Sequence, residues 1–387
     1  MSGGDLEIMK PAMDRSRADH LPGVEEPTPG DSRGGKAAAP SLTSVAMMGL
    51  GAYAPECRMT NAELSTRVDT SDEWIRTRTG IVERRILEAG QNTSDLAAEA
   101  ARRALASAKM SAADIDVIIV ATSTPDQPVP ATAAFVQQKI HADRAAGFDV
   151  GAGCTGFIYA VQVGRSLIAS GIYRTALVIG VDALSLLTDY QSRETCVLFG
   201  DGAGAVILGR GEGMARIVDV QLGLDGRGTD KIEVKAGGTA RPTSAETVER
   251  REHYLRMAGR EVFRFAVEKL SAVTRELAAN NGLELSDIDL LVPHQANYRI
   301  LDAAARELGI GMERVVTNIE HYGNTSAASI PLALTEAWRA GRVRPGDRVV
   351  LAAFGAGLAW GGALLVVGGE RSKSKSSRND RNGHGDE

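Results

Sequence analysis

The sequence predicts an α/β fold built from two homologous βα halves, and three observations predict it. Strand patterns alternate with helix patterns from residue 44 onward, as in a sheet covered by helices. The order helix, short link, buried strand occurs twice, in AARRALASAKMSAADIDVIIVATST (100–124) and LSAVTRELAANNGLELSDIDLLVPHQAN (270–297), with matching cores ADIDVIIVA and SDIDLLVPH. Each copy is followed by two strands around a glycine-rich turn: RTALVIGVDALS (174–185) with GDGAGAVILGRG (200–211), then GDRVVLAAFGAGLAWGGALLVVGG (346–369). Agreement at three places in one order marks an internal repeat, with halves at 43–212 and 213–369.

Residues 1–42 are rich in Gly, Pro and mixed charge, and 370–387 are almost wholly polar. Neither stretch can bury enough apolar surface to offset its ordering entropy, so both read as disordered tails. The body opens at SVAMMGLGAYAPE (44–56) as strand and turn. AGFDV (146–150) reads as a strand, and the apolar stripe from Thr155 (Phe157, Ala160, Val161, Leu167, Ile168) as a buried helix. LLVPH is a strand end before the helix QANYRILDAAAREL, where Pro293 is expected to stop normal pairing. HYGNTSAASIPLALTEAW is a glycine turn that enters a helix.

Composition narrows the function. Residues are 43% hydrophobic, enough for a sizeable core, but only 4% aromatic. Few aromatics and a net charge of −5 argue against nucleic-acid binding. Three cysteines without metal spacing (Cys57, Cys154, Cys196) suggest neither a disulfide framework nor a metal site, and a reducing compartment. No apolar run is long enough for a membrane span. The N-terminus lacks the apolar core of a secretory signal and is too acidic for a transit peptide, so the expected location is cytoplasmic.

Cys154 is the residue that invites chemistry. Gly151 and Gly153 permit a tight turn, and the helix follows at once, so its dipole is expected to favour the thiolate, the nucleophilic form. A free cysteine is also commonly a small buried core residue, and local context leaves both readings open. Cys196, in ETCVLFG, reads as a mid-strand core cysteine, and Cys57 as a loop residue. His294 is the most site-like of six histidines, with His321 as its rival. Asn324 alone would read as a turn or cap residue. FGAGLAWGG (354–362) could offer backbone N–H groups to an oxyanion.

Six motifs in order carry a family resemblance: TSDEWIRTRTGIVERR (70–85), GCTGF (153–157), FGDGAGA (199–205), VPHQAN (292–297), HYGNTSAAS (321–329) and FGAGLAWG (354–361). Over residues 44–368 the chain resembles the β-ketoacyl-acyl carrier protein synthase III family. That resemblance implies a thiolase-like fold, layered αβαβα. It implies Cys154 as the acylated nucleophile, with His294 and Asn324 serving the decarboxylating malonyl thioester. The N–H groups of Cys154 and Ala356 would form the oxyanion hole. Trp74, Arg78 and Arg193 would hold coenzyme A, and Arg299 and Arg264 would dock the acidic carrier protein. The implied reaction joins an acyl-CoA primer, acetyl-CoA first, to malonyl-acyl carrier protein, releasing CoA and CO₂ and initiating type II fatty acid synthesis. A homodimer is implied; no metal or cofactor is, with the CoA thioester a substrate.

The chain departs from the family pattern at Val129, where a phenylalanine commonly reaches into the partner subunit's acyl pocket. A smaller side chain there would admit a longer or branched primer. Ala356 and Thr155 are milder departures, and Glu307 beside Arg306 makes the docking helix less basic. Val129 keeps an alternative open: a starter-unit synthase or acyltransferase of a polyketide or other secondary pathway on the same fold. A papain-like cysteine hydrolase shares the order Cys, His, Asn but has no duplicated halves, and ranks last.

Overall fold

The computed structural model describes residues 44–369. The readings of 1–42 and 370–387 as tails lie outside the described residues. Among the described residues, nine strands form one mixed sheet: β1 (Val45–Tyr53), β2 (Val117–Ala121), β3 (Ala146–Val150), β4 (Thr175–Ala183), β5 (Asp201–Arg210), β6 (Ala215–Leu224), β7 (Leu290–Pro293), β8 (Arg348–Gly355) and β9 (Ala359–Val367). Six helices bear on the site: α1 (Asp72–Thr79), α2 (Thr93–Ala108), α3 (Gly156–Ala169), α4 (Gly259–Asn280), α5 (Tyr298–Leu308) and α6 (Ser329–Arg339).

The sheet runs β7-β8-β9-β6-β1-β5-β4-β2-β3. Its two ends repeat one pattern. β2 is parallel to β4, β4 antiparallel to β5, and β5 antiparallel to β1. β7 is parallel to β8, β8 antiparallel to β9, and β9 antiparallel to β6. The ends differ at the rim. β3 lies parallel beside β2, while the place beyond β7 holds only the bridge from Leu291 to Val315.

Side-chain periodicity explains the layers. β2 reads VIIVA and is buried at every position, as expected for a parallel strand covered on both faces. α2 lays Leu96, Ala97 and Ala101 on one outer face of the sheet. α4 and α5 lay Leu270, Val273, Leu277 and Leu301 on the other. α3 and α6 fill the middle, sharing Phe157, Ile158, Ile330 and Leu334 in one core with strands of both ends. This is the αβαβα layering of a thiolase-like fold. Small residues let the layers close: a Cβ on Gly49 would come within 2.6 Å of Ala104 O, and one on Gly51 within 2.4 Å of Ala104 N.

Two expectations are corrected. Pro293 does not stop the pairing: it stays in register with Ala352, and the His294 N–H donates to Ala352 O at 2.8 Å. β7 tolerates proline because it is the outermost strand on its side. Cys196 is not in a strand; it closes the short helix Arg193–Cys196, buried at 1% exposure. The ETCVLF run looks like a strand because it is apolar, but its main chain turns early, with Cys196 N–H donating to Ser192 O.

Candidate active site

Loops at the strand ends meet around a cavity of about 720 Å³ lined by Cys154, His294, Asn324, Phe354 and Ala356. Cys154 sits in the 3-10 turn Gly153–Thr155, directly before α3. Gly153 has φ 53°, in the left-handed region that glycine allows without a Cβ penalty. The end of β8 passes close beside this turn, because a Cβ on Gly355 would lie 3.0 Å from Cys154 N. That approach brings Ala356 beside Cys154, and a Cβ on Gly153 would lie 3.3 Å from Ala356 Cβ. The Cys154 N–H lies against its own sulfur, and among the described residues the Ala356 N–H enters none of the turn and loop hydrogen bonds.

His294 is 1% exposed at the end of β7, with its ring edge-on to Phe354 at 5.3 Å between centroids. Its Nδ1 lies 2.6 Å from Ser329 Oγ, and that oxygen also accepts the Gln295 N–H at 3.3 Å. The roles in this pair follow the tautomer, and we assign the Ser329 hydroxyl as the donor to Nδ1. The ring proton then sits on Nε2, the remaining donor. Burial pushes the imidazole down to about 3, so it stays neutral at physiological pH. Gln295 locks this strand end through Pro293 O (2.8 Å) and Val316 O (2.9 Å).

Asn324 is fixed in the same way. Its Oδ1 accepts the Ser326 N–H at 2.9 Å, which leaves Nδ2 to donate. Its own N–H donates to Leu198 O at 2.8 Å, and its carbonyl accepts the Gly200 N–H at 3.0 Å. The contact needs glycine: a Cβ on Gly200 would sit 2.1 Å from Tyr322 O.

Electrostatics correct one expectation. Cys154 keeps some exposure, but burial pushes its thiol up to about 11. The Asp182 carboxylate behind it adds to the rise; the Ser326 hydroxyl and the cysteine's own N–H oppose it. The resting group is therefore the thiol. Desolvation of a buried sulfur outweighs a helix end that contributes only a partial charge. Asp182 is itself fully buried and held by the N–H groups of Ser123 (2.6 Å) and Ala327 (3.1 Å), and burial raises its pKa.

The mouth of the cavity holds Trp74, Arg78 and Arg299. Arg193 is not on the lining, but its guanidinium lies 5.1 Å over the Trp74 ring. Arg264 is exposed on α4, outside the cavity; Arg260, one turn earlier on that helix, does line it and had no sequence signal. Val129 is 80% exposed and away from the lining. His321 is exposed and paired with Glu320, so it leaves the role to His294. Ser329, Ser326 and Asp182 were missed from sequence. The serines of HYGNTSAAS were the available clue.

A cysteine at a helix start, sharing a cavity with His294, Asn324 and the Ala356 loop in a doubled α/β frame, defines a thiolase-like condensing enzyme. Family profiles agree: 3-oxoacyl-[acyl-carrier-protein] synthase III matches residues 148–226, and the C-terminal profile of the same family matches 278–367. The β-ketoacyl-[acyl-carrier-protein] synthase III of Symbiobacterium thermophilum is 52% identical over 332 residues, covering 84% of this chain and 99% of that protein. The crystal structure of 3-oxoacyl-[acyl-carrier-protein] synthase III from Aquifex aeolicus VF5 aligns with TM-score 0.77 at 42% identity, over 83% of this chain and 99% of its own. The priming β-ketosynthase of the R1128 polyketide biosynthetic pathway aligns with TM-score 0.78 at 34% identity, over 86% of this chain and 99% of its own. The chain belongs to the β-ketoacyl-[acyl-carrier-protein] synthase III family, a family of acyl-transferring condensing enzymes.

Proposed function

We propose that this enzyme condenses an acyl-CoA primer, acetyl-CoA first, with malonyl-acyl carrier protein, the initiating step of type II fatty acid synthesis. The observation that carries the reading is the orientation of the donors. His294 and Asn324 each have the acceptor end occupied by a serine, so each turns an N–H toward the cavity that Cys154 lines.

The steps balance. Cys154 sulfur attacks the primer carbonyl, the bond to the CoA sulfur breaks, and CoA leaves as the thiol with the cysteine's proton. Malonyl thioester then loses CO₂, and the electron pair moves into an enolate whose charge rests on the thioester oxygen. The Nε2–H of His294 and Nδ2–H of Asn324 stabilise that oxygen. A neutral imidazole suits this task, since it donates without having to be protonated. The enolate carbon attacks the acyl-cysteine. The N–H groups of Cys154 and Ala356 hold the tetrahedral oxyanion, and its collapse returns the thiolate, which takes up a proton. The scheme calls for no metal or redox cofactor, so a chelator should leave turnover unchanged.

Trp74 and Arg193 would bracket the CoA base, with Arg78 beside them. Arg299 and Arg264 would meet the acidic carrier protein. A homodimer would form through the open edge of β3, where Ala146, Gly147 and Phe148 are exposed. A monomer by light scattering at working concentration would remove that part. Among the described residues no helix is long and apolar enough to cross a membrane, and all three cysteines are free, which supports a reducing cytoplasm.

The test is intact-protein mass spectrometry after incubation with a panel of acyl-CoA thioesters, on wild type and Cys154→Ala. A Cys154-dependent gain from acetyl-CoA supports fatty acid initiation. A gain only from longer or branched acyl groups moves the function to a polyketide starter role, which the 34% identical priming β-ketosynthase and Val129 keep in view. No gain from any thioester sinks the nucleophile assignment.

A further inference from the structure

Arg84 is wholly buried, at 0% exposure, yet it belongs to no part of the cavity lining. A buried guanidinium is costly unless well bonded. Its Nη1 donates to Asn61 Oδ1 at 2.9 Å and Met59 O at 3.1 Å, and its Nη2 to Val197 O at 2.8 Å. Its Nε has no partner among the described residues. None of these bonds is to a carboxylate, so the charge is spent on holding main chain and an amide.

What it holds leads to the site in two directions. Val197 opens the turn whose next carbonyl, Leu198 O, accepts the Asn324 N–H, and whose Gly200 N–H donates to Asn324 O. The stem of Arg84 also floors this contact: a Cβ on Gly200 or on Gly323 would lie 3.1 Å from Arg84 Cβ. In the other direction, Asn61 Nδ2 donates to Asp72 Oδ1 at 2.8 Å. Asp72 is the first residue of α1, the helix that carries Trp74 and Arg78 at the mouth.

We propose that Arg84 is a positioning residue for the condensation half-reaction: it sets Asn324 against the thioester oxygen and ties that setting to α1. The inference rests on the donor role given above to Asn324. Arg84 touches no substrate atom; it acts through the Val197–Gly200 turn.

The experiment measures two half-reactions separately, acyl transfer to Cys154 and condensation by pre-acylated enzyme with malonyl-carrier protein. The variants are Arg84→Met, Arg84→Lys and Asn61→Ala, with Arg84→Met also placed in an Asn324→Ala background. Arg84→Met should lower condensation kcat by about 30- to 100-fold, the scale of a misplaced group. Acyl transfer should stay within about threefold, and Arg84→Lys should recover part of the loss. In the Asn324→Ala background the further loss should be under about threefold, because both changes remove one interaction. Where Arg84→Met does not fold, Asn61→Ala, which removes one of the Arg84 Nη1 bonds together with the Asn61 bonds to Ile81 O and Asp72, should still lower condensation about three- to tenfold. The proposal is overturned if the Arg84 and Asn324 losses multiply, if both half-reactions fall together, or if folded variants condense normally. Asn324→Ala condensing at the wild-type rate would instead sink the functional reading beneath it.

Discussion

The two halves use the same pair of positions for opposite purposes. In the first, β2 ends at Ala121, and a 3-10 turn with a positive φ at Gly153 leads through Cys154 into α3 at Gly156. In the second, the matching strand ends at Pro293 with His294 the next residue, and a 3-10 turn with a positive φ at Ser326 leads through Ala327 into α6 at Ser329. One half places its reactive residue on the turn and leaves alanine at the strand end. The other places it at the strand end and leaves alanine on the turn. The contact between helix start and strand end survives in both. A Cβ on Gly156 would lie 3.0 Å from Ala121 Cβ, and Ser329 Oγ lies 2.6 Å from His294 Nδ1. On the proposed mechanism, a duplicated frame thus supplies a nucleophile from one copy and oxyanion donors from the other, all lining one cavity.

The comparison breaks first at the donors. If the second half serves only the enolate, His294→Ala and Asn324→Ala should each lower condensation by about 10²- to 10³-fold, the usual loss for one oxyanion donor. Acylation of Cys154, followed by mass, should persist in both. Loss of acylation along with condensation would mean that the halves do not divide the work.

Ser329→Ala is the next largest change, because it gives α6 an apolar start like that of α3. The imidazole stays buried but loses the bond that keeps its proton on Nε2. Condensation should fall about tenfold, a tautomer and orientation penalty of about 1.4 kcal/mol. Acyl transfer should be unchanged, and Ser329→Thr should restore much of the rate. An unaltered condensation rate in Ser329→Ala would remove the tautomer argument.

The repeat itself was legible in the sequence because each half must bury the same strands under the same helices, and burial writes a pattern. ADIDVIIVA and SDIDLLVPH differ at both ends but agree in polar and apolar positions from Asp114 to Val120 and from Asp287 to Pro293. Cys154 and His294 stand out locally, each beside a glycine or proline, but Asn324 alone reads as a turn residue, and it is the ordered set of six motifs that makes the three legible together. The residues that orient them were not. Ser329 meets His294 across 35 positions and Arg84 meets Val197 across 113, and no local period encodes such contacts. The state of the thiol was misread for a related reason: the helix start is local and visible, whereas the burial that outweighs it comes from the whole fold.

The smallest effect tests the one place where the two turns differ in backbone chemistry. Ser326 holds φ 49°, where a side chain costs about 1–2 kcal/mol that glycine avoids. Glycine returns roughly 0.5–1 kcal/mol of that as unfolded-state freedom. Ser326→Gly should therefore leave stability within about 1 kcal/mol of wild type, with the melting point hardly moved. Reactivity should move the other way, since the Ser326 hydroxyl is what holds the Cys154 thiol from rising further. In wild type, alkylation by iodoacetamide should climb steadily from pH 7 toward the thiol's value of about 11, because only the thiolate reacts and its fraction grows with pH. His294 stays neutral down to about 3, so it adds no step near pH 6.5. In Ser326→Gly the same curve should shift to higher pH and run slower at pH 8. A curve unmoved by the substitution would show that the serine is retained for shape alone, and the second half's turn would then have no part in the chemistry of the first.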